Sequence, residues 1–311
     1  MVIGMNKAIV VGGAGFVGSA VVRELLSRGI EVTVVDRPNS GFENTNNSRL
    51  SGLDVLTAPC DINNISKLKE LLPDKNYDVW YQFAWEGLFN EPLLDYNIQI
   101  NNIKYVMDAI VVAKELGCSK FIGAGSISQY ELRTLEGQVN EHDKHRVYKT
   151  AKLACEYMGR SVASGEDIAF FWPIITNIFG EGETSPRLIN SMIRKLLAGG
   201  RQSLSEGNQI YDFIHVSDAA RAFADIGERG VENKTYVIGS GGAKPLKEFL
   251  LELRDIVNPD AELGFGEMNF NGIYLPKEDY DITSLINDTG FKPKLTFADG
   301  IKRTKDWIAS Q

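Results

Sequence analysis

The chain has 311 residues, of which 43% are hydrophobic and 24% charged, and its formal net charge is −8. This length suits one large α/β domain, or a nucleotide-binding domain with a smaller second domain. The acidic balance, without clustered lysine and arginine, excludes a nucleic-acid footprint, and no apolar run is long enough to span a bilayer. The N-terminus lacks the apolar core of a signal peptide, and the three scattered cysteines and three histidines form no metal motif. We therefore expect a cytoplasmic protein with no metal, no nucleic-acid partner and no membrane partner.

The first strong pattern is a glycine-rich turn between an apolar strand at residues 8–11 and a helix-like segment at residues 20–26. Gly12 permits a tight turn, Gly15 lets backbone amides approach a pyrophosphate, and Gly18 lets the helix pack closely on the strand. The N-terminus of the helix adds free N–H groups and a partial positive charge. The turn therefore predicts a dinucleotide-binding site.

The second strand strengthens this prediction, because it ends in Asp36, about twenty residues past the glycines, where a carboxylate binds the adenosine ribose. Asp36 repels a 2′-phosphate and favours NAD, whereas Arg37 can pair with that phosphate, so NADP stays possible. Asp61 is a candidate for contact with adenine and fits an ordinary helix N-cap equally well. The other predicted cofactor contacts lie on the glycine turn or near the carboxyl ends of strands: Phe16, Val17, Ile62, Phe83, Ala84, Trp85 and Pro173.

Strands and helices alternate through the first half of the chain. Strands are predicted near 55–61, 77–83, 121–124 and 168–172, helices at 93–116 and 148–162, and polar loops at 40–51 and 131–144. Repeated βα units predict a Rossmann-type, doubly wound parallel sheet of the α/β class. The pattern loosens after residue 175. We expect a dinucleotide-binding domain of residues 1–175 plus about 210–231, and a smaller, discontinuous C-terminal substrate domain of about 176–209 plus 232–311.

The second strong pattern is Tyr148 followed four residues later by Lys152, which places both on one face of a helix. A free tyrosine has a pKa near 10, and an ammonium beside it favours the phenolate and lowers that pKa. Alone, this pair also fits an ordinary surface contact between helical neighbours. Ser126 follows the fifth strand, where its hydroxyl can meet a carbonyl oxygen. Together with the glycine turn, the three residues predict general acid–base catalysis beside a dinucleotide.

These motifs resemble those of the extended short-chain dehydrogenase/reductases, the NAD-dependent epimerases and dehydratases that act on nucleotide sugars. The glycine turn matches the family's glycine pattern, Tyr148 and Lys152 match its Tyr-x-x-x-Lys, and Ser126 and Asn102 match its serine and asparagine. The resemblance extends over nearly the whole chain through four later segments, at 177–180, 211–218, 236–241 and 290–293.

The resemblance implies hydride transfer at a sugar carbon. In that chemistry Tyr148 exchanges a proton with the sugar oxygen, and Ser126 hydrogen-bonds that oxygen as charge develops. Lys152 tunes Tyr148 and holds the nicotinamide ribose. Asn102 holds the local backbone and a water molecule that relays protons.

Two departures from the family pattern narrow the reaction. Dehydratases of the family carry an Asp-Glu pair just after the catalytic hydroxyl, where this chain has Ile127 and Ser128. Tyr211 replaces the arginine that usually grips the diphosphate. The Tyr211-Asp212 segment, Ala84-Trp85 and Gly125-Ser126 look more like the reductases of 4-keto-6-deoxyhexoses, so we expect a reductase. A nucleotide-sugar 4-epimerase with tightly bound NAD is the alternative, and a non-enzymatic dinucleotide sensor is a third possibility.

The expected substrate is a nucleotide-diphosphate sugar. Its predicted contacts are Ser126, Ser128, Asn177, Arg187, Arg201 and Tyr211. The two arginines are candidates to replace the missing diphosphate ligand. Members of the family often form homodimers through two long helices, here at 93–116 and 147–162. We expect a homodimer, although the same apolar faces also fit packing within one subunit.

Overall fold

A computed structural model describes residues 4–38, 49–72, 74–135, 143 and 145–311. Its main sheet contains six strands: β1 Lys7–Val11, β2 Glu31–Asp36, β3 Leu56–Pro59, β4 Val79–Gln82, β5 Lys120–Ile122 and β6 Ala169–Phe171. All neighbouring strands are parallel, in the order β3-β2-β1-β4-β5-β6. This is the strand order of a doubly wound dinucleotide-binding sheet, so the predicted fold class is confirmed.

Helices cover both faces of this sheet. They are α1 Phe16–Ser27, α2 Leu68–Leu71, α3 Tyr96–Glu115, α4 Arg146–Gly165, α5 Leu188–Leu197, α6 Val216–Arg229, α7 Leu246–Val257, α8 Thr283–Thr289 and α9 Phe297–Ala309. The helices α1 and α6 pack together on one face, and α3 and α4 pack together on the other. In the described residues no helix combines the length and the apolar character needed to cross a membrane.

The shorter strands follow the main sheet. They are β7 Ile174–Ile175, β8 Asn177–Phe179, β9 Gln202–Ser203, β10 Ile210–Tyr211, β11 Phe213–His215, β12 Val237–Ile238, β13 Lys244–Pro245 and β14 Leu263–Gly264. They form two-stranded pairs, of which β7 with β12, β8 with β11 and β9 with β14 are parallel. The pair of β10 with β13 is antiparallel.

A separate apolar cluster lies among α5, α7 and α9, where Phe213, Phe249 and Phe297 meet. The division of the chain into a dinucleotide-binding and a substrate domain stays a prediction.

Several predicted boundaries differ from the structure. The long helix predicted from residue 93 begins at Tyr96, because the Asp95 side chain accepts a hydrogen bond from the Asn97 N–H at 2.8 Å and caps the helix there. Three-residue and longer 3₁₀ segments stand at Ile62–Lys67, Glu91–Leu93, Ile127–Leu135 and Lys277–Tyr280. The loop predicted at 131–144 thus starts as a 3₁₀ turn. Much of that loop, and most of the loop predicted at 40–51, lie outside the described residues.

Candidate functional site

The glycine turn leaves no room for side chains. Gly12 has a φ of +81°, and a Cβ on it would lie 2.5 Å from the backbone nitrogen of Ala84. A Cβ on Gly18 would overlap the carbonyl oxygen of Gly12. Gly15 is the N-cap of α1, so the N–H groups of the first turn point toward the turn. These features fit a pyrophosphate held closely by backbone amides.

Asp36 is fixed at the mouth of this turn, at the carboxyl end of β2. Its carboxylate accepts hydrogen bonds from the Ala14 N–H at 3.0 Å and from the Arg37 N–H at 2.9 Å. A carboxylate has further lone pairs, which suit ribose hydroxyls and repel a 2′-phosphate. The Arg37 side chain is exposed beside it. The residues present therefore fit NAD.

Asp61 begins the first 3₁₀ segment, where its side chain accepts a hydrogen bond from the Asn63 N–H at 3.1 Å. This is the bond that an N-cap makes, and contact of Asp61 with adenine stays a prediction. Ile62 packs against the core beside it. Phe16, with Val17 next to it at the start of α1, lines a separate cavity of about 540 Å³.

The segment after β4 lies against the glycine turn. The N–H groups of Phe83 and Ala84 both donate to the carbonyl of Val11, at 2.8 and 3.0 Å. The ring of Phe83 meets Phe223 edge to face. On the neighbouring side, the carbonyl of Pro173 accepts a hydrogen bond from Gly125 at 2.9 Å. These residues therefore lie at the carboxyl ends of strands, where this fold binds ligands.

Three of the predicted catalytic residues converge beside that segment. Tyr148 and Lys152 lie one turn apart on α4, and Ser126 follows β5. Ser126 lies beside the Tyr148 phenol and lowers its pKa. The hydroxyl of Ser128 lies 2.8 Å from that of Ser126. Two hydroxyl groups and a phenol thus line the same cavity.

Burial dominates the acid–base properties of Tyr148 and Lys152. Lys152 Nζ donates to the Ala124 carbonyl at 2.9 Å and lies 3.5 Å from the Trp85 ring centroid, but 5.8 Å from that of Tyr148. Burial lowers the pKa of Lys152 to about 7. Burial also raises the pKa of Tyr148, although Ser126 and the Arg187 charge lower it. Desolvation outweighs the charges around the phenol, and the causes of its shift are burial, Ser126 and Arg187. That Lys152 depresses the Tyr148 pKa stays a prediction.

Asn102 is buried on α3 and holds the backbone of Glu86. Its Oδ1 accepts from the Glu86 N–H at 2.9 Å, and its Nδ2 donates to the Glu86 carbonyl at 2.8 Å. These two bonds fix the segment after β4 beside the catalytic pair, which is the backbone role that the resemblance implied.

A cavity of about 740 Å³ opens beside Ser126 and Tyr148. It brings together five of the six predicted substrate residues: Ser126, Ser128, Asn177, Arg187 and Tyr211. Arg201 is not brought to this cavity. Its side chain instead pairs with Glu267 and Glu262 on the surface beside β9 and β14, which separates it from the catalytic residues.

The sequence reasoning missed an ion cluster in the cavity wall. The ammonium of Lys149 is nearly buried and lies 2.5 Å from a Glu131 carboxylate oxygen and 2.8 Å from one of Asp143. The sequence feature that could have indicated this cluster is a second lysine, Lys149, directly after Tyr148. The two acids stood in a segment that was interpreted only as a polar loop.

Comparisons with known proteins agree with this geometry. The model of the NAD dependent epimerase/dehydratase family matches residues 8–239. A dTDP-glucose 4,6-dehydratase of Xanthomonas campestris is 23% identical, with 97% of this chain and 93% of that protein covered. A dTDP-4-dehydro-6-deoxyglucose reductase of Escherichia coli is 25% identical, with 96% of each covered. The structure of a UDP-N-acetylglucosamine 4-epimerase from Methanobrevibacter ruminantium, in complex with UDP-N-acetylmuramic acid, superimposes with a TM-score of 0.78 at 23% identity and covers 99% of both chains.

Proposed function

Because the chain belongs to the NAD dependent epimerase/dehydratase family, we propose that it is an oxidoreductase that reduces the carbonyl of a nucleotide-diphosphate 4-keto-6-deoxyhexose. One observation carries the proposal. Ser126 and Tyr148 lie side by side at the cavity, and the two residues after Ser126 are Ile127 and Ser128, neither of which is an acid. The site thus keeps the proton donor for hydride chemistry without the acids for elimination.

The reaction follows from the placement of the side chains. NAD, when bound in reduced form, supplies the hydride to the carbonyl carbon. Tyr148 donates its phenolic proton to the sugar oxygen, and Ser126 hydrogen-bonds that oxygen as negative charge develops. Lys152, one turn from Tyr148 on α4, would place a positive charge beside the bound cofactor. Asn102 keeps the segment after β4 in place through its bonds to Glu86.

The residues that would hold NAD lie on the glycine turn and at the end of β2. Gly12, Gly15 and Gly18 leave the backbone open to the pyrophosphate, and Asp36 offers acceptors to the adenosine ribose. The family is NAD dependent, which confirms NAD as the predicted cofactor.

Arg187 is the proposed ligand of the substrate diphosphate. It stands at the N-cap of α5 and lines the cavity, and its charge acts on the Tyr148 phenol. A cation at this position can compensate for the arginine that Tyr211 replaces. Asn177 and Tyr211 line the same cavity and are proposed to contact the sugar nucleotide.

A nucleotide-sugar 4-epimerase with tightly bound NAD is the second candidate. It needs the same Ser126–Tyr148 pair, with the hydride returned to the opposite face of the sugar. The superposition with the 4-epimerase of Methanobrevibacter ruminantium over 99% of both chains supports it.

The test is to incubate the protein with reduced cofactor and a panel of nucleotide-4-keto-6-deoxyhexoses, and also with UDP-, GDP- and CDP-hexoses. We expect stoichiometric loss of NADH and formation of a deoxysugar. If NADH stays constant while a new epimer of a UDP-, GDP- or CDP-hexose forms, the epimerase is correct instead. If neither occurs and NAD still binds, the protein is a dinucleotide sensor.

We also propose that the chain forms a homodimer through α3 and α4. Four large apolar side chains are exposed on these helices, at 61, 57, 67 and 49% of their surface: Tyr96, Ile100, Tyr157 and Met158. Exposed apolar side chains on both helices suit a bundle made of these two helices and the same two helices of a second copy. Light scattering should show a dimer that I100E with Y157E converts to a monomer, whereas V231E, at an exposed apolar residue elsewhere, leaves it intact. A monomeric wild-type protein contradicts this proposal.

A further inference from the structure

Trp85 contacts or connects three of the four predicted catalytic residues. Its ring centroid lies 3.5 Å from Lys152 Nζ and 6.0 Å from the centroid of the Tyr148 ring, which it meets edge to face. Its indole N–H donates to Gln99 Oε1 at 3.0 Å, and the same oxygen accepts a bond from Asn102 Nδ2 at 3.4 Å. The indole therefore lies between the acid–base pair and the asparagine that holds Glu86.

We propose that Trp85 is a positioning residue, whose ring face keeps Lys152 charged and in place while its indole N–H ties it to the Gln99–Asn102 pair. The inference rests on the proposed function, because the placement of this ammonium beside Tyr148 matters only in that chemistry.

The surroundings of Lys152 explain why a ring face is needed there. An ammonium has three donors, and one of them is used by the Ala124 carbonyl. Burial opposes the charge and lowers the pKa of the group to about 7. The face of tryptophan is the best aromatic partner for a cation, and this attraction strengthens when water is excluded.

The groups around Lys152 come from three sides. On its own helix, the titratable neighbours are Tyr148 and Cys155. From β5 and β6 it meets the Ala124 carbonyl and the ring of Trp172, whose centroid is 5.6 Å away. Burial lowers the pKa of Lys152, and Cys155 on the same helix raises it. Loss of the Trp85 face should therefore change the Lys152 titration directly.

The test is an NMR titration of ¹³C-lysine-labelled protein, with the Lys152 signal assigned by its loss in K152R. We expect W85L to lower the Lys152 midpoint by about one pH unit, because the ammonium loses the ring face that favours its charged form. W85F keeps an aromatic face and should shift the midpoint by less than half as much. W307L is the matched control, because it removes another ring with a cation, Arg194, 5.8 Å from its centroid.

An unchanged midpoint in folded W85L overturns the proposal, since Trp85 would then only fill space. Should W85L not fold, 5-fluorotryptophan replaces it, because fluorine withdraws electron density from the ring face. The analogue should lower the midpoint in the wild-type chain and not in W85F, and equal shifts in both contradict the proposal. Neither titration needs a sugar substrate. A failure of the Trp85 proposal can therefore be told apart from a failure of the proposed function.

With an active substrate, the alkaline limb of the kcat/KM profile of W85L should move to lower pH by as much as the Lys152 midpoint does.

Discussion

Tyr148 and Lys152 have acid–base properties that depend on burial as much as on their four-residue spacing. Burial raises the pKa of the phenol and lowers that of the ammonium to about 7. The ammonium is held by a carbonyl and a ring face, away from the phenol. A buried charge of this kind costs stability, so the site holds a destabilising group for the sake of its chemistry.

K152M should therefore stabilise the folded protein while it abolishes turnover. The pKa of Lys152 is lower in the folded protein than in the unfolded chain. Its burial therefore lowers the free energy of unfolding by the full amount below about pH 7, and this loss disappears as the pH rises toward 10.5. An increase of about 1 kcal/mol in the free energy of unfolding raises Tm by about 2–4 °C in a domain of 150–250 residues. We expect the Tm of K152M at pH 6.5 to exceed that of the wild type by at least about 2 °C. Calorimetry at pH 6.5 and pH 9.5 should show a larger gain at the lower pH. A Tm below that of the wild type at pH 6.5 contradicts the account.

At the scale of elements, the glycine turn is built for close approach of backbone to backbone. The turn packs tightly against the segment after β4. A Cβ on Gly12 would lie only 2.5 Å from the backbone nitrogen of Ala84. The same closeness brings amides to the carboxyl edge of the sheet. The turn is thus a packing requirement and a ligand site at once.

G12A should lose both stability and NAD binding. The substitution places a Cβ on a left-handed backbone and brings it 2.5 Å from the Ala84 nitrogen. The free energy of unfolding should therefore fall by more than the about 1–2 kcal/mol that backbone strain alone would remove. Two control variants separate the backbone strain from the close contact with Ala84. Gly29 has a φ of +76° with open space around it, so G29A should show the backbone cost alone and retain NAD binding. Gly165 has neither constraint, and G165A should be neutral or slightly stabilising. Denaturation and NAD titration of the three variants check this, and equal losses in G12A and G29A would contradict it.

At the scale of the whole molecule, Glu181 connects distant parts of the chain. It lies in the segment after β8, 2.6 Å from His215 Nε2 at the end of β11, and 2.7 Å from Arg303 Nε on α9. Burial alone raises its pKa, but the His215 hydrogen bond and the His215 and Arg303 charges bring that pKa down to about 2. A carboxyl with a lowered pKa stabilises the fold above its unfolded pKa and loses that effect as the pH falls.

E181Q should destabilise the protein by about 1 kcal/mol at pH 7, since the site is half-buried and solvent screening limits the loss. The difference from the wild type should shrink as the pH falls from about 5 toward 3. E232Q, at an exposed carboxylate, is the control and should show no such trend. Thermal unfolding across this pH range is the measurement, and a difference that grows toward acid pH would contradict the ion-pair explanation.

Much of the fold and site was predictable because the decisive patterns are local. The glycine spacing, the alternation of apolar strands and helices, and the Tyr148–Lys152 interval each lie within one or two elements. The family and the parallel sheet predicted from them are confirmed.

The remaining features depend on contacts between residues far apart in the chain. Arg201 pairs with Glu267 instead of lining the cavity, and Lys152 packs on Trp85. Burial around Tyr148 is likewise set by tertiary packing, which spacing along a helix does not reveal. The roles of the individual site residues stay predictions.

The most direct test of the central claim compares wild type with Y148F for sugar-dependent change in nicotinamide absorbance, at equal occupancy by cofactor. Removal of the phenolic proton donor should slow turnover by about 10²–10⁴-fold and leave the Kd for NAD within twofold, because Tyr148 acts on the sugar oxygen. Turnover in Y148F within tenfold of the wild type, with the fold intact, would contradict the role of Tyr148 and the mechanism built on it.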